Sequence, residues 1–262
     1  VGTVPSVSIG THFSPPTGGV EDRPEVPVEG TVRFNKDLNT LEFYNGVDWR
    51  QFTVSGASGR GVWMGGYRQL SLNIDYVNIQ TQGNAQEFGD LLSTTVGTGN
   101  YGAGGCANKI RGLIGGGNGP GGKCPYIQYI TTASKGNAIN FGNLSVSRFM
   151  TSGLSSSTRG IFGGGRTPSD LNTIDYVEIM TLGNALDFGD LIQAANKHPG
   201  SVSSPTRGIF GAGYGGGGQI DAVTIASKGN STDFGEDMFT GGYTHGGGST
   251  GVRGMWAGGY AV

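Results

Sequence analysis

Residues 60–262 alternate between short apolar runs and glycine-rich polar stretches, and this pattern recurs along the chain. Five apolar runs follow an Arg-Gly pair, and each ends in small residues, mostly glycine. The runs begin at Arg60, Arg111, Arg159, Arg207 and Arg253, so the steps between them are 51, 48, 48 and 46 residues. A short apolar run bounded by glycines is typical of a buried strand, because glycine permits close backbone approach. The pattern therefore predicts one buried strand per repeat.

A second strand-like segment, rich in β-branched and aromatic residues, follows in each of the first four repeats. These segments begin at Ile74, Ile127, Ile174 and Ile220, each nine residues before a Gly-Asn pair, and Phe-Gly pairs follow at Phe88, Phe141, Phe188 and Phe234. We predict that Gly-Asn supplies a turn and that Phe-Gly anchors a third strand. The Ser/Thr/Gly-rich stretch before the next Arg-Gly leaves room for a fourth. No segment has a 3.6-residue period, so we expect almost no helix.

The repeats predict an all-β protein built from similar sheets. One such sheet cannot bury both faces alone, and radial stacking of four-stranded sheets of this length gives a β-propeller. Four complete repeats and one further strand fit two ring closures. Either four blades are closed by the C-terminal strand, or residues 49–57 complete a five-bladed ring.

The amino-terminal residues differ from the repeats. Residues 1–28 contain five of the ten prolines, which disfavours a continuous strand ladder and predicts an extended docking arm. Residues 29–57 predict a small β-hairpin module, with strands over 31–34 and 41–44, a turn at Asn45-Gly46, and a returning strand over 47–52. Residues 58–262 then contain the repeats.

Composition narrows the possible classes. Glycine accounts for 53 of 262 residues but shows no period of three, which excludes collagen. Aromatic residues make up 10% of the chain and the net charge is −2, which disfavours a disordered linker. Seventeen Lys and Arg against 19 Asp and Glu leave no basic excess for nucleic acid. No apolar stretch reaches the roughly 18 residues of a membrane span.

The repeated sequence motif also resembles repeats of known proteins. Arg-Gly-Ile-Phe-Gly-Gly-Gly, then Ile-Asp-Tyr-Val and Gly-Asn-Ala-x-Asp-Phe-Gly-Asp, occupy residues 159–191 almost throughout. The phrase resembles the kelch repeat, and more closely a kelch-like glycine-rich repeat of bacteriophage structural proteins, especially those of phages that infect marine cyanobacteria. Residues 30–35 and 41–46, with Trp49, are similar to a small module of phage tail-fibre and other virion proteins. These resemblances imply a kelch-like propeller of four to five blades on a virion.

The recurring arginines have two interpretations. They could form a ring of cations that binds an anion or an acidic glycan. Alternatively, each pairs with a carboxylate of its own or a neighbouring repeat, such as Asp75, Asp175 or Asp221, and donates to backbone carbonyls. We favour the structural interpretation because every repeat carries the arginine. The second repeat has Gln128 in place of the aspartate.

Few other residues indicate a catalytic or metal-binding function. The histidines His12, His198 and His245 lack recurrent neighbours, and Cys106 and Cys124 lack zinc-ligand spacing, so we expect unpaired thiols. We predict no catalytic, metal or cofactor site. Partner or glycan contacts are expected in the variable loops after the glycine-rich strands, at Tyr67, Arg68, Asn118, Lys123, Arg166 and Tyr214.

These observations favour a non-enzymatic virion protein, such as a tail-fibre, spike or host-attachment component. Residues 1–57 would bind other virion proteins, and the propeller loops would contact a host glycan or receptor. The protein is expected to be a homo-oligomer, without nucleic-acid binding or membrane insertion. The alternatives are a capsid decoration or head-fibre protein, a secreted kelch-like glycan-binding lectin, and a lattice protein with no ligand.

Overall fold

The computed structural model of the chain consists of strands and loops. It describes residues 14–51, 59–66, 72–79, 83–92, 101–119, 121–195, 200–211, 213, 218–235, 242–243, 246–258 and 260–261. No helix occurs in these residues, and hence none that is long and apolar enough to cross a membrane. The chain divides into two compact units, Val1–Ser55 and Gly56–Val262. The all-β class is confirmed.

The first unit contains one four-stranded sheet, the N-terminal module. Its strands, in spatial order, are β1 (Thr17–Gly18), β2 (Val32–Asn35), β3 (Thr40–Tyr44) and β4 (Trp49–Gln51). Because β1 pairs with β2 in parallel, the described part of the predicted arm is not separate from the module. The Asn45-Gly46 turn is a loop of residues 45–48, since Tyr44 pairs with Trp49. Residues 1–13 lie outside the described residues.

The second unit contains a succession of antiparallel sheets, which we number 1 to 4 in chain order. Sheet 1 comprises β5 (Arg60–Met64), β6 (Asn73–Asn78) and β7 (Gln86–Asp90). Sheet 2 and its loop comprise β8 (Gly104–Ala107), β9 (Arg111–Gly115), β10 (Asn118–Gly119), β11 (Gly122–Lys123), β12 (Tyr126–Thr131) and β13 (Ile139–Asn143). The short pair β10–β11 forms a separate hairpin within the loop.

Sheets 3 and 4 repeat the plan of sheet 2. Sheet 3 comprises β14 (Ser152–Ser155), β15 (Arg159–Gly163), β16 (Thr173–Glu178) and β17 (Leu186–Asp190). Sheet 4 comprises β18 (Ser201–Ser203), β19 (Arg207–Phe210), β20 (Asp221–Thr224) and β21 (Thr232–Asp233). A C-terminal hairpin follows, with pairs β22 (Gly242–Tyr243)–β25 (Tyr260–Ala261) and β23 (Gly246–Ser249)–β24 (Gly254–Ala257).

The predicted fourth strand exists, and it belongs to the sheet of the following Arg-Gly strand. Sheets 2 to 4 therefore each begin with this edge strand and continue through the Arg-Gly, Ile-x-Tyr/Ala and Phe-Gly segments. The five-bladed closure by residues 49–57 is not supported at Trp49–Gln51, because β4 pairs with β3 of the module. Residues 52–57 lie outside the described residues.

The apolar core lies between consecutive sheets. Leu113 and Phe141 of sheet 2 share one cluster with Phe162 and Ile179 of sheet 3. The next cluster joins residues of sheets 3 and 4 in the same way. Gly115 makes room for this packing, since a β-carbon there would lie 2.9 Å from the Phe162 ring. Sheets 2 and 3 therefore each present one face to the sheet before and the opposite face to the sheet after.

Candidate functional site

The Gly-Asn pairs connect one sheet to the preceding sheet. Gly136 donates its N–H to the carbonyl of Phe88 at 2.9 Å, and the N–H of Ala138 reaches the carbonyl of Asp90 at 2.8 Å. The side-chain oxygen of Asn137 accepts the N–H of Asp90 at 3.0 Å. These bonds satisfy the edge of a sheet that would otherwise present free donors and acceptors. We call this arrangement the Gly-Asn clamp.

The clamp recurs between sheets 2 and 3 and between sheets 3 and 4. Between sheets 2 and 3, Gly183 N–H donates to Phe141 O at 3.0 Å and Ala185 N–H to Asn143 O at 2.8 Å. Between sheets 3 and 4, Gly229 N–H donates to Phe188 O and Ser231 N–H to Asp190 O, both at 2.8 Å. The asparagine bonds are Asn143 N–H to Asn184 Oδ1 and Asp190 N–H to Asn230 Oδ1, both at 3.0 Å. The predicted role of Gly-Asn as the turn of its own hairpin is therefore incomplete, because its hydrogen bonds are made with another sheet.

The Phe-Gly glycines are required by this clamp. A methyl group on Gly89, Gly142 or Gly189 would overlap the carbonyl group of the clamping glycine. The preceding phenylalanine is the extra residue of a β-bulge, since Ile174 pairs with Gly189 while Asp175 pairs with Asp187. The Phe-Gly pair thus combines a core anchor with a site of close backbone approach.

The edge strands at the start of the sheets are joined by a ladder of serine hydroxyls. Ser155 Oγ donates to the carbonyl of Ala107 at 2.7 Å, Ser203 Oγ to the carbonyl of Ser155 at 2.9 Å, and Ser249 Oγ to that of Ser203 at 2.9 Å. The ladder runs from sheet 2 to the C-terminal hairpin. It was not predicted, although serine at intervals of 48 and 46 residues is a visible signal.

Three of the recurring arginines donate to a main-chain carbonyl in the next sheet, at the residue directly after strand β12, β16 or β20. Nη1 of Arg60 reaches Thr132 O at 2.7 Å, Nη1 of Arg111 reaches Ile179 O at 3.0 Å, and Nη1 of Arg159 reaches Ile225 O at 2.8 Å. The predicted carbonyl contacts are confirmed for these three. Each of these bonds uses one nitrogen of the guanidinium group.

The same arginines stack on tyrosines. The guanidinium carbons of Arg60, Arg111 and Arg159 lie 5.0, 4.4 and 4.7 Å from the ring centres of Tyr76, Tyr129 and Tyr176. Sheet 4 has Ala222 at this position, and Arg207 is exposed, as is Arg253 of the C-terminal hairpin. The arginines thus hold the sheets together as far as sheet 4.

The predicted pairing of Arg159 with Asp175 is wrong. The register of β15 and β16 places Arg159 opposite Glu178, which it contacts at 2.9 Å, and places Asp175 opposite Phe162. Asp175 pairs instead with Arg148, at 3.1 Å. The register also separates Arg60 from Asp75, and Arg207 from Asp221. Antiparallel pairing puts the first residue of one strand opposite the last residue of the next, which explains the error.

The side chain at the aspartate position of a repeat accepts a main-chain N–H from the residues that follow the Phe-Gly strand of the preceding sheet. The side chains of Asp175 and Asp221 accept the N–H groups of Ser145 and Ile192, both at 3.0 Å. In the second repeat, Gln128 Oε1 accepts the N–H of Leu92 at 2.8 Å. Gln128 therefore preserves in the second repeat the contact that the aspartate makes in the later repeats.

Arg148 and Asp175 form an ion pair with both side chains completely buried. Arg148 also donates to the carbonyl of Phe162 at 3.2 Å. Burial lowers the pKa of the Arg148 guanidinium, and the nearby Asp175 carboxylate opposes this effect. Removing one partner of such a pair leaves an uncompensated buried charge.

The N-terminal module also contains a buried carboxylate, Glu42. Arg23 contacts it at 2.6 Å and Arg33 at 3.7 Å, while Asn35 donates to it at 3.1 Å. The hydrogen bond from Arg23 holds the pKa of Glu42 below its usual range, although burial acts in the opposite direction. Arg23 also lies over the ring of Trp49, 5.6 Å from its centre. This network fixes the chain before β2 onto the sheet.

Two of the predicted loop contacts have local partners. Asn118 donates to the hydroxyl of Tyr101 at 2.6 Å, and the ammonium of Lys123 lies 5.7 Å from the ring centre of Phe149. Three other predicted contact residues lie outside the described residues: Tyr67, Arg68 and Tyr214.

Arg166 occupies the corresponding loop of sheet 3. An isolated bridge joins Arg166 to Phe149, as another joins Asn118 to Tyr101 in the repeat before. Arg166 pairs with Asp170 at 3.7 Å, and its side chain remains 42% exposed. The two loops thus present polar and cationic groups at equivalent positions in successive repeats.

Both cysteines are buried thiols, and neither forms a disulfide. Burial raises the pKa of Cys106 to about 12, so its thiol remains protonated at neutral pH. The described residues contain no group of three or more His, Cys, Asp or Glu side chains suited to a metal ion. His12, His198 and His245 lie outside the described residues. Comparison with protein-family models and with curated proteins finds no match to this chain.

Proposed function

We propose that this chain is a non-enzymatic structural protein of a bacteriophage virion, in which the sheets are successive blades of a kelch-like β-propeller of four to five blades. The proposal rests on one observation: the recurring residues make contacts between neighbouring sheets. The Gly-Asn, Phe-Gly and Arg-Gly segments join one sheet to the next. A chain that commits its recurring polar residues to internal contacts is suited to a rigid scaffold.

The N-terminal module is the proposed attachment point to the particle. Val26, Val28 and Val47 are the most exposed of its large apolar side chains among the described residues. Exposed apolar side chains are suited to burial against a partner protein. In this arrangement the module binds another virion protein and the repeats project outward as part of a tail fibre, spike or host-attachment component.

The loops that carry Lys123 and Arg166 are the proposed contacts with the host surface. Arginine and lysine can donate to the hydroxyl and carboxylate groups of a glycan. A capsid decoration protein would use the same module without needing these loops. A secreted lectin would need the loops without the module.

The test is to fractionate phage particles from a lysate on a density gradient and to detect the chain with an antibody. We expect the chain in the particle band. A Val26→Asp/Val28→Asp double variant should fold but leave that band, because the two substitutions alter only exposed positions. Detection of the wild-type chain only among free proteins would contradict the proposal.

A second measurement separates the alternatives. If the loops attach the particle to its host, a Lys123→Ala/Arg166→Ala variant should be incorporated normally but adsorb to host cells more slowly. Unchanged adsorption would favour capsid decoration. Binding of the free chain to glycan beads without incorporation would favour the lectin.

A further inference from the structure

We propose that Arg60 and Lys135, at the junction of sheets 1 and 2, bind the carboxylate of an acidic sugar, such as a uronic acid residue of a polysaccharide. We call this junction the sheet 1–2 site. Arg60 begins its strand, so the site lies at the opposite end of the sheets from the loops that carry Lys123 and Arg166. The inference does not depend on the chain being a virion component.

A carboxylate already occupies the equivalent position in sheet 3. Nε and Nη2 of Arg159 donate to Glu178 Oε1 at 3.0 and 2.9 Å, while Nη1 donates to the carbonyl of Ile225. Arg159 therefore divides its donors, since one nitrogen holds the next sheet and the other two hold a carboxylate. The planar guanidinium group is well suited to a carboxylate because its donors lie in a fixed fork.

Arg60 makes the first of these contacts but not the second. Its Nη1 donates to the carbonyl of Thr132 at 2.7 Å. Strand register places Asn78 opposite Arg60, where sheet 3 places Glu178 opposite Arg159. Within the described part of the chain, no residue accepts a hydrogen bond from Nε or Nη2 of Arg60. Arg60 is half-buried and Asn78 is exposed, so a carboxylate from solution can reach the position that Glu178 fills in sheet 3.

Lys135 supplies a second cation at the same place. Its ammonium lies 4.9 Å from the ring centre of Tyr76, and the guanidinium carbon of Arg60 lies 5.0 Å from the same centre. The two cations are therefore at most about 10 Å apart, a distance over which both attract one anion at ordinary ionic strength. Tyr76 is buried and Lys135 is exposed, so the lysine is the more accessible of the two groups around the site.

A third cation, Lys109, makes this junction the most positive of its kind. The hydroxyl of Thr132 donates to the carbonyl of Lys109 at 3.1 Å, next to the carbonyl that Arg60 binds. Arg60, Lys109 and Lys135 form no ion pair with any described residue. The counterparts of these three are Arg111, Ser157 and Leu182 between sheets 2 and 3, and Arg159, Pro205 and Lys228, with Glu178, between sheets 3 and 4. A local excess of positive charge attracts anions even though the whole chain has a net charge of −2.

The neighbouring side chains favour a sugar as the source of the carboxylate. Asn78 lies directly opposite Arg60, and its amide can both donate to and accept from a hydroxyl group. Thr131, next to the bound carbonyl of Thr132, is also exposed and carries a hydroxyl. A uronic acid presents a carboxylate with hydroxyls on the same ring, so it can use the cations and these neutral groups together. An acidic peptide would supply the carboxylate without the hydroxyls.

The test measures binding of the full chain to immobilised polygalacturonate by surface plasmon resonance, at about 20 mM salt. Wild-type protein should bind, and binding should weaken as salt is raised. Asn78→Glu gives Arg60 an internal carboxylate like that of Glu178 and should weaken binding at least about tenfold, as Lys135→Gln should weaken it about threefold or more. Thr224→Glu is the matched control, because it makes the same change of charge at the exposed position opposite Arg207 in sheet 4. It should bind as the wild type does, and circular dichroism should show that all three variants fold.

The reverse substitution in sheet 3 tests the comparison on which the inference rests. Glu178→Asn leaves Arg159 and Lys228 without their carboxylate, so titration with trigalacturonate should show a second, weaker site in this variant. A single site there would overturn the inference. It would also be overturned by a wild-type chain that does not bind, by Asn78→Glu protein that binds like the wild type, or by Thr224→Glu protein that loses as much affinity as Asn78→Glu. Polyglutamate bound as tightly as polygalacturonate would overturn the assignment of a sugar.

Discussion

Replacing Gly189 by alanine isolates the contribution of one Gly-Asn clamp. The added methyl group would overlap the carbonyl oxygen of Gly229 in the following repeat. Neither main chain can move freely, because the clamp lies between two packed sheets. Three hydrogen bonds cross this junction: Gly229 N–H to Phe188 O, Ser231 N–H to Asp190 O, and Asp190 N–H to Asn230 Oδ1.

The expected cost follows from these bonds. A typical buried or half-buried hydrogen bond contributes about 1 kcal/mol, so separating the clamp costs about 3 kcal/mol. If the bonds are kept instead, the forced overlap costs about 1–3 kcal/mol. The backbone of Gly189, with φ of 148°, adds a strain term for any residue with a β-carbon.

Gly235→Ala is the matched control for this strain. Gly235 follows Phe234 in the same motif and has φ of 140°, but a β-carbon there would have no atom of the described residues within 4 Å. Urea denaturation of dilute protein should therefore show Gly189→Ala less stable than Gly235→Ala by about 2–3 kcal/mol. Equal stabilities, within about 0.5 kcal/mol, would refute the clamp.

Three further predictions concern single side chains. Arg159→Ala should lower stability by about 1–3 kcal/mol, because it removes carbonyl bonds and ring stacking, while Arg207→Ala should change the thermal melt little; equal melts would contradict the scaffold role. Asp175→Ala should cost about 3–5 kcal/mol in denaturant unfolding, and Asp175→Leu with Arg148→Met should recover most of it. A wild-type midpoint for the single variant would oppose this account. Cys106 has its pKa raised from 9.0 to about 12, so its contribution to stability falls as pH rises from about 9 to about 12. It should react with thiol reagents at pH 8 only after unfolding, and rapid reaction of native protein would disprove its burial.

The strands were predictable because their signals are local. Arg159–Gly163 is an apolar run that ends in glycine, and Thr173–Glu178 is rich in β-branched and aromatic residues. Both became strands close to the predicted positions. The later edge strands were less distinct, since Ser201–Ser203 has only one apolar residue.

The contacts between sheets were harder to predict because their partners are distant in sequence. The asparagine of Gly-Asn looks like a turn residue, and nothing near Asn184 indicates that it accepts the N–H of Asn143. The pairing of Asp175 depends on strand register and on Arg148, which has no recurring pattern. Repetition identifies which residues matter, but the partner of each becomes visible only when the sheets are packed.

The central claim is that the Gly-Asn segments of the second, third and fourth repeats bind the preceding sheet, and amide hydrogen exchange in dilute native protein tests it most directly. The account predicts strong protection of the N–H groups of Gly136, Gly183 and Gly229, which donate to the preceding Phe-Gly strand. It predicts fast exchange at Gly83, which is exposed on the first sheet of the series. Fast exchange at all four glycines would contradict the account, because the clamps would then not hold the sheets together.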